Sequence, residues 1–498
     1  MKHAGPAAVM ALAVALSGAL SLAEEPGAAD TVQDSPEATQ PQQTTMTRGE
    51  IQRRLDEARA RLEDILVTLE GVDQPTREQL ERFREARREV AALERQLEDT
   101  APPTPSPEDD SWKARWARFR KGTEDLTRYD LKDGMLRFRL GLRLQLDATG
   151  VYEDEALEDV FGNLPNDTSV RRARLFAEGR FLRRFDFNFT YDFGADPGIK
   201  SAYLEGVKFA KLVRWRVGIF QEPFSLEKKT NYAYNAFLEG SLPVETLAPG
   251  SNAGAMLRGS EVGQRLTWAV SATTNTTSGA DNAGSANYTL TTRVTGTPLY
   301  RRDGSLLVHL GLGLGYRNPE GGDIRYKARP EARFVTPLLD TGGMSANSNS
   351  LRGFEFATVQ GPWWAQYEWI FSRLDADSLG DPSFSGSYIE VGRFLTGESR
   401  RYDRREGVFD RVLPFRPYEK KGNPFKKESA GGALEVTGRL STVDLSDEQV
   451  QAGELSDLTL GMNWYLTPTT AFLLNYVHSD VDPGGEAHIL LIRYQFAP

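Results

Sequence analysis

The sequence predicts an all-β transmembrane barrel of about 16 antiparallel strands, preceded by an N-terminal α-helical coiled-coil extension. Three observations carry that expectation. From Gly134 onward, apolar residues return at every second position over long segments, a pattern that a strand, and no helix, sorts into two faces. The mean hydropathy of −0.47 excludes a bundle of membrane-spanning helices, whose spans need runs of about 20 apolar residues. It leaves a barrel open, because barrel strands need apolar residues only on their outward side. Between residues 47 and 100 the apolar spacing alternates instead between three and four, the pattern of helices that meet along a seam.

The chain has 498 residues, a formal net charge of −10, no cysteine and four histidines, His3, His309, His478 and His488. Without cysteine there is no disulfide scaffold, thiolate zinc site, iron–sulfur cluster or cysteine nucleophile. Histidine-rich metal centres are excluded by the count, and no cofactor or metal is expected. The acidic balance argues against a nucleic-acid partner.

The elements follow in order. Residues 1–23 read as an export leader: Lys2 and His3 give a positive start, Ala7–Leu22 is apolar, and Ser21-Leu22-Ala23 fits the cleavage rule. Export without cysteine suits a bacterial envelope protein. Residues 24–46, rich in Ala, Pro, Gln and Thr, read as a flexible linker. Residues 47–100 form the helical segment. Ile51, Leu55, Ala58, Leu62, Ile65 and Leu69 make one seam, with Arg53, Arg54, Glu57 and Glu63 around it. Gly71 and Pro75 interrupt it, and Thr76 with Gln79 forms a capping box that restarts a helix. Phe83, Ala86, Val90, Leu93 and Leu97 continue the spacing. Each seam covers about three heptads, too few for a helix that stands alone. A folded-back hairpin, a trimeric rod and a solvated helix pair all fit. Residues 101–133 are a spacer. Ala101–Pro107 is stiff and extended, and Trp112, Trp116 and Phe119 then recur at helical spacing among basic residues. That short amphipathic piece suits a membrane surface, a periplasmic opening or the face of the next domain.

The barrel segment is 134–498. Leu136, Phe138, Leu140, Leu142, Leu144 and Leu146 alternate with Arg137, Arg139, Gly141, Arg143, Gln145 and Asp147. Phe185, Phe187, Phe189 and Tyr191 alternate with Asp186, Asn188, Thr190 and Asp192. Val213, Trp215, Val217 and Ile219 alternate with Arg214, Arg216 and Gly218. Rows from Leu306 to Tyr316, from Ile324 to Ala332 and from Trp363 to Phe371 repeat the pattern. A soluble sandwich also alternates, but with shorter strands and fewer inward charges. About seventeen segments qualify. A barrel must close, because lipid cannot satisfy an open edge, and ends on one side require an even number; sixteen strands are therefore expected.

Several of these stretches resemble the phosphate-selective porin O/P family: Val170-Arg-Arg-Ala-Arg-Leu175, Tyr191-Asp-Phe193, Gly218-Ile-Phe-Gln-Glu-Pro-Phe-Ser-Leu-Glu227, Glu239-Gly-Ser-Leu-Pro243, Leu247-Ala-Pro-Gly250, Phe394–Tyr402 and Leu458–Leu466 with Asn475-Tyr476. They follow in order across 134–498. The resemblance implies a homotrimeric, sixteen-stranded channel in the bacterial outer membrane, with the N-terminal extension in the periplasm. It also implies that the long connection from Gln221 to Asn252 folds into the lumen and narrows it. His488–Phe496 looks like the carboxy-terminal strand read by the barrel assembly machinery, here followed by Ala497 and Pro498. Gly240 stands where a basic residue often precedes Ser-Leu-Pro.

The chemistry expected of such a lumen is permeation by small anions, phosphate among them. Anion pores place fixed positive charge where water is narrow, and arginine stays charged and offers a fork that matches phosphate oxygens. Period two points Arg137, Arg139, Arg143, Arg172, Arg174, Arg180, Arg214 and Arg216 inward, as candidate pore-lining and anion-binding residues. Lys228, Lys229, Tyr232 and Tyr234 are candidates for the constriction loop. Glu178, Asp186 and Asp192 face the same interior and would balance a general wall. Catalysis is not expected: no nucleophile elbow accompanies the histidines, which read as wall or turn residues. Gly311-x-Gly-x-Gly315 reads as small inward strand residues, and Asp375–Gly380 as a turn. Besides outer-membrane lipid, a peptidoglycan or other envelope contact through the coiled coil is a further expected partner. That expectation frames two alternatives, a structural tether and a general diffusion porin.

Overall fold

A computed structural model describes parts of 50–65, residues 76–99 and 128–131, and residues 135–498 apart from 210–212, 262, 275–287, 302–303, 320–322, 416–417 and 419–430. The leader 1–23, the linker 24–46, the Pro-rich spacer and the Trp112–Phe119 piece lie outside the described residues. The chain divides into two compact units, Met1–Arg118 and Phe119–Pro498.

In the first unit, residues 50–65 are helical wherever described, and helix α1 spans Arg77–Asp99. The Thr76 amide donates to Gln79 Oε1 at 2.8 Å and the Gln79 amide to Thr76 Oγ1 at 3.3 Å, the reciprocal cap expected from those two residues. Ile51, Leu55, Ala58 and Leu93 are buried together with Val90 against them, and Arg61 pairs with Glu89 at 2.8 Å.

In the second unit, sixteen long strands form one antiparallel sheet. They are β1 Leu136–Glu153, β2 Asp167–Phe181, β3 Phe185–Asp192, β4 Gly198–Phe209, β5 Val213–Gln221, β6 Ser251–Glu261, β7 Leu266–Thr274 and β8 Tyr288–Arg301. The second half is β9 Leu306–Asn318, β10 Ser348–Gln360, β11 Trp363–Asp375, β12 Ser383–Phe394, β13 Ala433–Ser446, β14 Gln451–Thr467, β15 Thr470–Asp482 and β16 Gly485–Phe496. Each pairs with the next, and β16 pairs with β1 from Leu144↔Phe496 to Glu153↔Ala487, so the sheet closes. A short strand, Arg128–Leu131, covers the start of β1 that β16 does not reach. Among the described residues no helix is long and apolar enough to cross a membrane; the crossing is made by strands.

The alternation sets the two faces. Leu140, Leu142, Leu312, Leu314, Leu440 and Leu460 point outward and are exposed, while their neighbours in sequence are covered. A water-soluble protein does not leave so many aliphatic side chains in one band; hydrocarbon is the solvent that accepts them.

Both ends of the sheet, the start of β1 and the end of β16, lie at one rim, here the near rim. Two long connections leave the far rim and fold inside: 222–250 after β5 and 319–347 after β9. A third connection joins β12 to β13 at the near rim, and its described residues 395–415 reach the interior. The row from Ile324 to Ala332, expected as a strand of the wall, belongs to the second connection; only the two-residue bridges Asp323–Ile324 and Lys327–Ala328 are β. Its alternation is real: Ile324, Tyr326, Ala328 and Ala332 are buried. They pack on the inner wall rather than facing lipid, and period two alone does not distinguish these two apolar surroundings. Its removal from the wall brings the segment count to sixteen.

Candidate functional site

The first inserted connection builds the site. Helix α2, Glu155–Phe161, follows β1 at the far rim; the insert after β5 carries helix α3, Leu226–Lys229, a 3₁₀ turn, Tyr232–Tyr234, and helix α4, Leu242–Leu247. Each part is fastened to a different side of the barrel. At its base Glu222 accepts from Asn252 Nδ2 and Thr273 Oγ1, both at 2.8 Å, and from Thr291 Oγ1 at 2.5 Å. Glu368 of β11 accepts the amides of Leu226 and Glu227 at 2.9 and 2.7 Å, capping α3. Arg439 of β13 is buried, donates to the Glu239 carbonyl at 2.9 Å and to Glu331 at 2.5 Å, and pairs with Glu227 at 3.1 Å. One guanidinium thus holds both far-rim inserts. Phe224 is fully buried over the inner faces of β9 and β10: a Cβ at Gly313 would stand 2.9 Å from Phe224 Cδ2, and one at Gly353 2.9 Å from Phe224 Cζ. Gly313 of β9 and Gly353 of β10 are therefore the seat of Phe224.

These fastenings cover one wall. Glu355, Glu368, Glu390, Glu435 and Asp457 of β10–β14 are all buried and engaged. Glu355 takes Arg293 at 2.7 Å and His309 at 3.0 Å. Glu435 takes Trp364 Nε1 at 2.7 Å. Asp457 accepts the Glu331 amide at 2.7 Å. The near-rim insert adds to the cover: its Tyr402 hydroxyl meets His309 Nδ1 at 2.6 Å, its Glu406 pairs with Arg258 at 2.7 Å, and its Arg400 lies 3.9 Å over Trp364.

The opposite side, β1–β5, stays open. Between it and the first insert runs a space of about 770 Å³. Eight cationic side chains border it, Arg143, Arg171, Arg172, Arg174, Lys200, Arg216, Lys228 and Lys229, against four carboxylates, Asp196, Glu227, Glu239 and Glu245. The imbalance makes this space electropositive.

The expected residues fall into several separate places. Arg143, Arg172 and Arg174 gather at the 3₁₀ turn: Arg172 and Arg174 lie 4.3 and 4.0 Å over the Tyr232 ring, and Arg174 pairs with Asp192 at 2.6 Å. Burial would raise the Tyr232 phenol, but Arg174, Arg143 and Arg172 overcome it and hold it below its ordinary value. Arg139 and Arg143 flank the inward ring of Phe176, at 5.0 and 4.7 Å, and Arg139 also pairs with Glu178 at 2.6 Å. Arg137, Arg180 and Arg214 sit toward the near rim, where Asp186 pairs with Arg180 at 2.5 Å and with Arg214 at 3.1 Å. Arg216 joins Arg214 and Arg258 on one carboxylate, Glu205, at 2.7, 2.8 and 2.9 Å. In the insert, Lys228 pairs with Glu245 at 3.1 Å, and Tyr234 turns away to accept from Arg411 at 3.0 Å. Lys229 donates to the Gln221 carbonyl at 3.3 Å. Burial pushes its ammonium down to about 7; Arg216 adds to the shift and Glu406 opposes it.

Two residues central to this geometry lie inside stretches that carry the family resemblance but are not marked by period two. Arg171 stands on the wrong parity for the lumen, yet β2 is irregular there: Gln145 pairs with Arg172 and Leu146 with Val170, leaving Arg171 as the extra residue. The bulge turns both arginines of the pair inward. The second is Glu239, which accepts from Arg171 Nε and Nη2, both at 2.8 Å, and from Arg493 at 2.7 Å, with Arg172 at 3.9 Å. Burial would raise this carboxyl, but Arg171 and Arg172 hold it well below its ordinary value. Arg258 and Arg493, which pair with Glu205 and Asp147, were not among the expected residues.

Residues 138–497 match the family of phosphate-selective porins O and P. Porin O of Pseudomonas aeruginosa is 24% identical over 413 residues, 73% of this chain and 89% of its own length. An uncharacterized protein of Caulobacter vibrioides is 26% identical over 397 residues, 76% of this chain and 73% of its own. Among solved structures, OmpT of Vibrio cholerae is similar at a TM-score of 0.44 and 11% identity, over 74% of this chain and 99% of that one. The anion-selective porin from Comamonas acidovorans is similar at a TM-score of 0.43 and 12% identity, over 72% of this chain and 100% of that one. The family match runs over almost the whole closed sheet, and the chain accordingly belongs to the phosphate-selective porin O and P family, as a β-barrel porin of the bacterial outer membrane.

Proposed function

We propose that this porin passes small anions along the open β1–β5 side, and that Arg143, Arg172 and Arg174 beside Tyr232 are the groups that meet them at the narrow point. One observation carries the reading. The inserts bury the acidic wall and leave the basic wall facing the passage, so the local potential is positive although the whole chain carries −10. Arg172 Nε is buried without a hydrogen-bond partner among the described residues, a donor available to an oxyanion. Arg137, Arg139, Arg180, Arg214 and Arg216, each near a carboxylate or near another arginine of the row, would hand anions to and from that point. Phosphate is a member of the class that fits. For the extension we favour a folded-back arrangement within one chain, on the periplasmic side of a homotrimer; Ile51, Leu55 and Ala58 packing with Val90 and Leu93 support it.

The test is a reversal potential across a planar bilayer in a KCl gradient. We expect a value on the chloride side, and a substantial loss of that bias in Arg172→Gln/Arg174→Gln. A cation-favouring value for the unmodified protein removes the reading.

A further inference from the structure

We propose that the outer face of the last hairpin is a binding site for one divalent transition-metal cation, formed by His478, Glu486 and His488. Both histidines are expected from the sequence as wall or turn residues, and they point away from the channel. His478 on β15 and His488 on β16 are direct cross-strand partners. Their sequence neighbours Val477, Ser479, Ala487 and Ile489 are buried on the inner side, which leaves both imidazoles and Glu486 on the outward face near the far rim.

The geometry is that of three donors around a common point. One ligand atom from each residue lies within 4.8 Å of the other two, and His478 Nε2 is 4.0 Å from Glu486 Oε2. Donors about 2.0–2.2 Å from a zinc ion stand some 3–4 Å apart, so small side-chain rotations close the triad. The rings are stacked, with centroids 4.9 Å apart at 20°. Two imidazolium ions in that arrangement repel, whereas two neutral rings and one carboxylate offer a cation three lone pairs. Tyr476 supplies the outer contact that orients such a ligand: its hydroxyl oxygen lies 2.7 Å from His488 Nδ1. When Nδ1–H donates to that oxygen, the lone pair is on Nε2, free for a metal. Asp480 stands opposite Glu486 on the same face as a further carboxylate. Two imidazoles with a carboxylate favour zinc, nickel, copper or cobalt over calcium and magnesium, whose preferred sites are all oxygen.

The site lies on the lipid-side surface and does not depend on what the lumen conducts. The experiment uses the full chain, purified in detergent without a histidine tag and stripped with a chelator. It is titrated with Co²⁺, read by visible absorption, and then with Zn²⁺ by calorimetry. We expect one ion per chain, displacement of Co²⁺ by Zn²⁺, about 100-fold weaker binding in His478→Ala/His488→Ala, and about 10-fold in Glu486→Gln. His488→Gln, which keeps a polar cross-strand partner, replaces the double variant if that one fails to assemble, as judged by far-UV circular dichroism. Equal binding by the parent protein and the histidine variants, or no binding by the parent at micromolar metal, overturns the proposal.

Discussion

At the scale of single residues, Glu239 is the group that most limits what the arginines can do. Its carboxylate accepts from Arg171, which borders the passage, and from the buried Arg493, so both guanidiniums already hold an anion that belongs to the protein. A permeating oxyanion competes with a tethered one. Glu239→Gln keeps the shape and releases one negative charge; at about 8 Å and an effective dielectric near 20 that charge is worth about 2 kcal/mol before screening. We expect the chloride-to-potassium permeability ratio to rise several-fold, and phosphate to begin blocking chloride current. An unchanged ratio would show that the pair plays no part in selection. Lys229 gives the residue scale its pH dependence. Its ammonium is shifted down to about 7, chiefly by burial. Below that value the lysine carries its charge and above it does not, so anion preference should fall as pH rises from about 6 to 8. Lys229→Met should abolish this step, and Lys229→Arg should hold the preference at its acid level throughout. A step of equal size in all three proteins excludes Lys229.

At the scale of elements, the insert after β5 depends on what the wall withholds as much as on what it offers. Gly313 and Gly353 leave room for the ring of Phe224, and a side chain at either position would meet it inside contact distance. Gly313→Leu should therefore lift the α3 end of the insert while leaving the outward face of β9 untouched. We expect a larger single-channel conductance with weaker selectivity from an otherwise assembled barrel, and conductance at the parent level would mean that Phe224 does not seat the loop. The β2 bulge is the counterpart on the open wall. One extra residue puts Arg171 and Arg172 on the same side, where regular alternation separates them.

At the scale of the whole molecule, two units carry two kinds of structure, and one deletion separates their roles. Removing residues 47–100 should leave single-channel conductance and selectivity within measurement error in bilayers, since the lumen is complete within Phe119–Pro498. An altered conductance would tie the helices to the channel, and an intact channel with a weakened cell envelope would favour a tethering role for them. The barrel itself was legible in the sequence because each strand of a lipid-facing sheet must alternate by itself, whatever its neighbours do. The same local rule is the ground for expecting Arg137, Arg139, Arg143, Arg172, Arg174, Arg180, Arg214 and Arg216 to point inward. The segment around Tyr326 was misread as wall, since an apolar row buried against an inner wall and one bathed in lipid share a period.

Local alternation and turn chemistry, written within a dozen residues at a time, were enough to determine a closed, membrane-spanning sheet and to mark arginines as candidates for its inner face. Which of those charges remain available was decided only by the tertiary structure. Arg493 meets Asp147 across the barrel seam, Arg439 meets Glu227 and Glu331 from two different inserts, and Arg171 meets Glu239 from the loop. Such pairs join residues far apart in the chain, and an electrostatic potential depends on distance in space, which period and spacing do not encode.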